Sequence, residues 1–303
     1  MNNQFFEGMV KFAALEYFLL EILPLTHKTC YSPFTVQKEI KGSRILRNRI
    51  TNQQKNTMTT SEISQDKSQK NSGITNRLIY FFIFLLLISI AGFYKTYLVK
   101  FPNFEGFTLA HHFHGVIMLT WVLMLIAQPV FIRTKNFRLH RIVGKASYFI
   151  FPLLLLSFFL VARAAYLRNI KTEGEIEALA SMGFSGIPDM FYISILYGLG
   201  IYYKKKTSFH LRFFASIGLM ILGPGLGRFL IAVCGLPFAA VPAMIGVIAL
   251  FTLGWMIADI IKKRSAFPMG VFLAIIATTF LIGPNSHSAW WQAFAKWIAV
   301  HLF

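Results

Sequence analysis

The chain is poor in charged residues. Only 14% of its 303 residues are Asp, Glu, Lys or Arg, whereas about 25% is usual for a soluble domain. Hydrophobic residues make up 55% of the sequence, and 32 residues are Phe. The low charge and the long apolar runs exclude an ordinary soluble domain. They predict an all-α, polytopic transmembrane helical bundle whose main partner is the lipid bilayer.

Acidic residues are scarcer than basic ones, at 12 against 30, which gives a net charge of +18. Such an excess can indicate a nucleic-acid-binding protein. Here, however, the basic residues stand at the ends of apolar runs, which is typical of cytoplasmic loops in membrane proteins. The sequence therefore predicts no nucleic-acid partner.

Cysteine and the common catalytic motifs are also nearly absent. The two cysteines, Cys30 and Cys234, are expected on opposite sides of the bilayer, so a disulfide is not predicted. There is no P-loop, no dinucleotide-binding glycine fingerprint, no H-E-x-x-H, no G-x-S-x-G and no C-x-x-C-H. Whether the protein is an enzyme stays open at this point.

The first 76 residues differ from the rest. Lys38–Lys70 is rich in Asn, Gln, Ser, Thr and Lys, a composition that predicts disorder. Met58 begins a short polar stretch before the first apolar run, so one hypothesis is that residues 1–57 are not part of the natural product. The alternative is a genuine cytoplasmic tail. Residues 77–303 form the predicted transmembrane domain.

Seven segments have the length and apolar character of membrane spans. They are Leu78–Val99, Thr108–Ile132, Ile142–Tyr166, Ile187–Tyr203, Leu211–Val233, Pro237–Ile261 and Phe267–Gly283. Basic residues concentrate before the first span and in alternate loops, which predicts a cytoplasmic N-terminus. Trp290, Phe294, Trp297 and His301 share one helical face, so residues 288–303 are expected to lie on the outer surface. A short eighth span is the alternative.

Counting ~1.5 Å per residue from the basic loops places the polar residues at two depths. A polar cavity is predicted toward the outer face. Its lining is expected to comprise His111, His114, Trp121, Gln128, Asp189, Arg228 and His287. Asp189 is expected to pair with Arg228 or to cap its helix, and Arg228 could instead extend to the outer surface. His114, Trp121 and Gln128 recur every seven residues, which also suits an interhelical hydrogen-bonded seam.

Two kinds of chemistry fit these residues. A b-type haem needs two histidines at similar depth on facing helices, and two such pairs are conceivable. They are His140 with His210 near the cytoplasmic face, and His114 (or His111) with His287 near the outer face. The other reading is a small-molecule or proton-coupled transporter with Asp189 and Arg228 in its path.

At these motifs the sequence resembles a group of bacterial multi-pass membrane proteins with no assigned activity. The matching pieces are FHGVIMLTWVLMLIAQPVFIR from Phe113, RLHRIVGKASY from Arg138, Asp189 heading the fourth span, FHLRFFASIGLMILGPGLGR from Phe209, and the Trp-rich end. The resemblance covers roughly residues 78–303 and implies a helical bundle in the bacterial inner membrane. Phe214 departs from the group's pattern, which often has Met there. More distantly, the chain is similar to di-haem transmembrane cytochromes in pairing histidines on adjacent helices, although the spacings do not allow ligands to be transferred.

Overall fold

We analysed the fold in a computed structural model of the chain. The structure describes residues 73–184, 186–238 and 240–303. The interpretations of residues 1–57, of the rest of the N-terminal segment and of Cys30 therefore fall outside the described residues. The chain divides into two compact units, residues 1–80 and residues 81–303. Of the first unit only residues 73–80, the opening turns of a helix, are described.

The described residues form nine α-helices and no β-strand. Helix α1 spans Gly73–Thr96. The others are α2 Leu109–Arg133, α3 Phe137–Thr172, α4 Glu175–Ser181, α5 Ile187–Tyr202, α6 Thr207–Arg228, α7 Ala240–Ile261, α8 Phe267–Ile282 and α9 Ala289–Leu302. A π-helix, Phe229–Val233, continues α6 directly. The predicted all-α class is confirmed.

Five of these helices, α1, α2, α3, α6 with its π-helical extension, and α7, are long and apolar enough to cross a membrane. The apolar helices α5 and α8 are shorter, at 16 residues each, or ~24 Å at the rise of an α-helix. Each of the seven predicted spans corresponds to one of these seven helices. The molecule is a helical membrane bundle, with five full-length candidate spans rather than seven.

Short connections make consecutive helices antiparallel neighbours. Helices α2 and α3 pack closely along their lengths, as do α5 and α6, and α7 packs on α8. Asn136 begins α3 by accepting a hydrogen bond from the Leu139 backbone N–H at 3.1 Å, the usual role of Asn at a helix start. We call the level where α2 begins the His111 end of the bundle, and the level where α3 begins the His140 end.

Helix α1 approaches α6 through small residues. A Cβ added to Gly92 would collide with the backbone carbonyl oxygen of Gly225, and one added to Gly225 would lie 2.9 Å from the Ser89 Cα. Small residues allow membrane helices to approach backbone to backbone. The glycines of the GPGLGR stretch, Gly223–Arg228, thus include one that permits close helix packing.

The C-terminal helix α9 packs on the short helix α4. Trp291 is 2% exposed and donates its indole N–H to the Leu179 carbonyl at 3.0 Å. The opposite face carries Trp290 and Trp297, which are more than half exposed. With 14 residues, or ~21 Å, α9 is too short for a ~30 Å hydrocarbon core. This length and its two distinct faces fit the interfacial helix better than the eighth span.

Candidate functional site

Two histidines from different helices lie at the His140 end of the bundle. His210, in the first turn of α6, makes a 2.8 Å hydrogen bond from Nδ1 to the Gly200 carbonyl near the end of α5. Because a carbonyl oxygen can only accept, Nδ1 carries the proton and Nε2 keeps its lone pair. Histidines that ligate metals commonly donate their other ring N–H to a backbone carbonyl in this way.

His140 lies in the first turn of α3, near the backbone carbonyl of Gln128 on α2. The charge of the His210 ring acts on His140. Its Nδ1 is buried and has no hydrogen-bond partner among the described residues. Each of the two rings therefore keeps one nitrogen with a lone pair, which can bind a metal ion or accept a hydrogen bond.

Two further buried polar atoms lie on the α2 side of this end. Gln128 Nε2 and Trp121 Nε1 have no hydrogen-bond partner among the described residues, although Trp121 is only 1% exposed. Buried polar groups are nearly always satisfied, and each orphan costs ~1–3 kcal/mol. Gly144, one turn after His140, keeps the facing surface of α3 bare, since a Cβ there would lie 4.0 Å from Gln128 Nε2. This face of α2 therefore carries two buried N–H donors that a bound group could satisfy.

An aromatic cluster separates this region from the other end of the bundle. Phe151 and Tyr197 stack with ring centroids 4.0 Å apart, and Trp121 packs edge-on against Tyr197 at 5.7 Å. The Tyr197 hydroxyl shares a 2.8 Å hydrogen bond with Ser147 Oγ, which itself donates to the Gly144 carbonyl. The aromatic cluster connects α2, α3 and α5 on the side of the two histidines that faces the His111 end.

A buried ion pair holds the adjacent part of α6. Arg212 is 5% exposed and Asp259, near the end of α7, is 2% exposed. Arg212 Nε donates to Asp259 Oδ2 at 2.6 Å, and Nη2 donates to Oδ1 to complete a two-pronged contact. Nη1 donates to the carbonyl and hydroxyl oxygens of Ser208 at 2.8 and 2.6 Å. Arg212 follows His210 by two residues, so the pair anchors the turn that carries this imidazole.

Sequence reasoning missed Asp259. It interrupts the apolar run of the sixth predicted span just before Lys262, Lys263 and Arg264. An acid inside a membrane helix is costly unless it has a partner. Its depth also matches that of Arg212, because both lie about one turn inside a basic loop. These two signals together could have identified the pair.

The His111 end gathers three of the predicted cavity residues. His114 Nδ1 hydrogen bonds to Ser157 Oγ on α3 at 3.0 Å, and its ring packs edge-on against Phe158. His111 lies in the first turn of α2, where its Nδ1 accepts hydrogen bonds from Thr108. The charge of Arg228 acts on both imidazoles, and that of Arg168 acts on His111.

Arg228 ends α6 without an acidic partner among the described residues. Its Nη1 donates to the Pro224 carbonyl at 3.3 Å, and its guanidinium lies 4.6 Å from the ring centre of Phe93 on α1. The predicted Asp189–Arg228 ion pair is not formed. Asp189 lies in the first turn of α5, where a carboxylate favours the helix dipole, and it has no cation within 4 Å among the described residues.

His112 turns away from the bundle toward the loop before α2. Its Nδ1 hydrogen bonds to the Tyr97 hydroxyl at 2.5 Å, and its ring packs edge-on against Phe104. Burial raises the pKa of Tyr97 above its usual value, which keeps the phenol protonated as a hydrogen-bond donor. This contact fixes the loop to the start of α2.

His287 contacts none of the other predicted cavity residues within the part of the chain that the structure describes. It is exposed and lies 3.1 Å from both carboxylate oxygens of Glu177 on α4. Within the described residues, no contact joins it to His114. The predicted residues are therefore distributed over several places, because the stripe His114–Trp121–Gln128 runs along most of α2. Its ends lie ~21 Å apart, too far to line one compact cavity.

Within the part of the chain that the structure describes, no group of three or more His, Cys, Asp or Glu side chains could hold a metal ion. A bis-histidine site needs only two protein ligands and is unaffected by this finding. Comparison of the chain with protein-family models, curated proteins and solved structures finds no match. The function is therefore argued from the site itself.

Proposed function

We propose that this integral membrane protein binds a b-type haem between His140 and His210 and carries electrons through it. The observation that carries the proposal is the pair of imidazoles on α3 and α6, each with a ring nitrogen that has no partner among the described residues. A six-coordinate b-type haem would be held by two such nitrogens, one from His140 and one from His210. The proposed similarity to di-haem transmembrane cytochromes points the same way.

The surroundings of the two rings suit a haem. The Gly200 carbonyl orients His210 and increases the basicity of its free nitrogen. The aromatic cluster of Trp121, Phe151 and Tyr197 offers an apolar wall to a porphyrin face. Two exposed arginines, Arg138 and Arg141, lie within two residues of His140 in the sequence. Their positive charge could pair with the carboxylates of a porphyrin.

The proposal is tested by the absorption spectrum of the full-length protein, purified from cells supplied with a haem precursor. We expect a Soret band and the sharp reduced bands of a six-coordinate haem. His140→Ala and His210→Ala should each abolish or shift these bands, while His112→Ala, at the opposite end, should leave them unchanged. Colourless wild-type protein, or unchanged spectra in both alanine variants, would refute the proposal.

A proton-coupled transporter is the second candidate, and Asp189 is the observation that favours it. This carboxylate lies at the start of an apolar helix without an ionic partner among the described residues, and unpaired acids in membrane helices often serve ion pathways. Proton flux into proteoliposomes tests this role. Asp189→Asn should abolish the flux and Asp189→Glu should preserve it, whereas equal flux in wild type and Asp189→Asn would exclude it.

A further inference from the structure

The His210 imidazole is held from outside its own helix by the end of α5. The Gly200 carbonyl, which accepts the 2.8 Å hydrogen bond from Nδ1, is one of the last carbonyls of α5, and such carbonyls lack an N–H partner within the helix. The Lys204 N–H, four residues after Gly200, bonds to the Ile201 carbonyl at 3.1 Å. The hydrogen bond from His210 therefore satisfies a helix-end carbonyl, and the partial negative charge at the end of α5 increases the basicity of the ring.

A second side chain, Phe214, lies against both partners of this hydrogen bond. It follows His210 by four residues, so both project from the same face of α6, and their ring centroids lie 4.7 Å apart. Phe214 also contacts α5, because a Cβ built on Gly200 would lie 2.8 Å from its ring, well inside the ~3.5–4.0 Å at which carbon atoms pack. The missing side chain of Gly200 therefore leaves room for the aromatic ring beside the carbonyl.

Phe214 is in turn held by the aromatic cluster. Its ring packs edge-on against Tyr197, with ring centroids 6.1 Å apart. Tyr197 is 8% exposed, stacks on Phe151 and shares a hydrogen bond with Ser147, both on α3. Contacts therefore run without a break from α3 through Tyr197 and Phe214 to the His210 imidazole.

We propose that Phe214 is the positioning residue of His210: it keeps Nδ1 on the Gly200 carbonyl and so leaves Nε2 as the nitrogen that bonds to haem iron. A neutral imidazole can carry its proton on either nitrogen. The ring of Phe214 and the Gly200 carbonyl together select one orientation and one tautomer. Naming haem iron as the partner of Nε2 rests on the proposed function, whereas the selection of the tautomer does not.

Nitrogen-15 NMR of the full-length protein, labelled in its histidine rings and purified without haem, tests the tautomer. The His210 signals are identified by their loss in His210→Ala. In wild type we expect a protonated Nδ1 and a bare Nε2, and in Phe214→Ala we expect this preference to be lost. Phe214→Met, which keeps a flexible apolar contact, should retain most of it. Phe209→Ala is the matched control, because Phe209 directly precedes His210 but packs on Tyr203 and Phe267.

The haem-loaded protein tests what the positioning serves. Loss of a group that orients a metal-ligating histidine commonly lowers metal affinity by about 10–100-fold. Haem should therefore dissociate at least about tenfold faster from Phe214→Ala than from wild type, as measured by its transfer to an excess of a haem-scavenging protein. Phe209→Ala should release haem at the wild-type rate.

The two measurements separate the failure of this proposal from the failure of the haem proposal. An unchanged His210 tautomer in Phe214→Ala would overturn the positioning role whether or not haem is bound, and so would equal changes in Phe209→Ala and Phe214→Ala. Equal haem dissociation from wild type and Phe214→Ala would refute the role in coordination. Colourless protein in which Phe214→Ala still loses the tautomer would refute the haem but support the positioning of His210. Circular dichroism of each variant checks that the helices remain folded.

Discussion

The two ends of helix α6 accommodate an arginine in opposite ways. Arg212 is 5% exposed and donates hydrogen bonds from two nitrogens to the Asp259 carboxylate. Arg228, about four turns later, is exposed and contacts a carbonyl oxygen and an aromatic ring. The same kind of side chain is therefore part of the packed interior at the His140 end and exposed at the His111 end.

The two ends of α6 are also held to their neighbours by different forces. At the Arg212 end, charge links α6 to α7. At the Arg228 end, α6 meets α1 through the glycine contact of Gly92 and Gly225, where packing at short distance replaces polar bonds. Arg212 therefore holds α6 to α7 through charge, whereas Arg228 contacts only Pro224 and Phe93 among the described residues.

The largest expected effect comes from breaking the buried ion pair. Asp259→Ala leaves the Arg212 charge buried and unpaired, so we expect a loss of ~3–5 kcal/mol in the free energy of unfolding. Thermal unfolding of the detergent-solubilised protein measures it. Arg264→Gln is the control, because Arg264 is 44% exposed and lies 4.0 Å from Asp259, which makes its contribution small.

A double replacement sharpens the same comparison. Arg212→Met with Asp259→Leu removes both charges and should recover most of the stability lost in Asp259→Ala, since apolar residues can replace a buried ion pair at little cost. Equal unfolding temperatures for Asp259→Ala and Arg264→Gln would show that the pair is not buried as described.

The sequence was sufficient to locate the apolar helices but not to predict which helices pack together. Apolar length alone located the seven apolar helices, five of which are long enough to cross a membrane, because a run of about 20 apolar residues has few alternatives to a membrane helix. It did not predict α4, since an acidic stretch such as Glu173–Glu177 reads as a loop. The helix forms with Glu175 and Glu177 in its first turn, where acids favour the helix dipole, and it is covered by α9.

The candidate site shows the same limit. Counting residues gives the depth of a polar group but not the face of the helix that carries it. Depth suggested the Asp189–Arg228 pair, which does not form, and it could have suggested Arg212–Asp259, which does. His140 and His210 share a level, and each lies beside a carbonyl of a different neighbouring helix, His210 beside Gly200 of α5 and His140 beside Gln128 of α2. That second condition depends on tertiary packing.

An intermediate effect is expected at the Arg228 end. Gly92→Ala places a methyl group against the Gly225 carbonyl, and overpacking of this kind costs ~1–3 kcal/mol. Gly115→Ala is the matched control, because nothing lies within 4 Å of a Cβ there and alanine favours a helix by up to about 1 kcal/mol. We expect the unfolding temperature to fall in Gly92→Ala and to rise in Gly115→Ala. A change in the same direction in both variants would argue against the close approach of α1 and α6.

The smallest effect should come from a pair that resembles Arg212–Asp259 only in its chemistry. Lys296 Nζ lies 3.0 Å from Glu175 Oε1 and links α9 to α4, but both side chains are more than half exposed. Exposed pairs contribute ~0–1 kcal/mol and are weakened by salt. A double-mutant cycle of Glu175→Gln and Lys296→Gln should therefore give a coupling energy under about 1 kcal/mol that falls at high salt. A coupling as large as the loss in Asp259→Ala would mean that burial does not set the strength of these pairs. The contrast drawn between the two ends of α6 would then lose its physical basis.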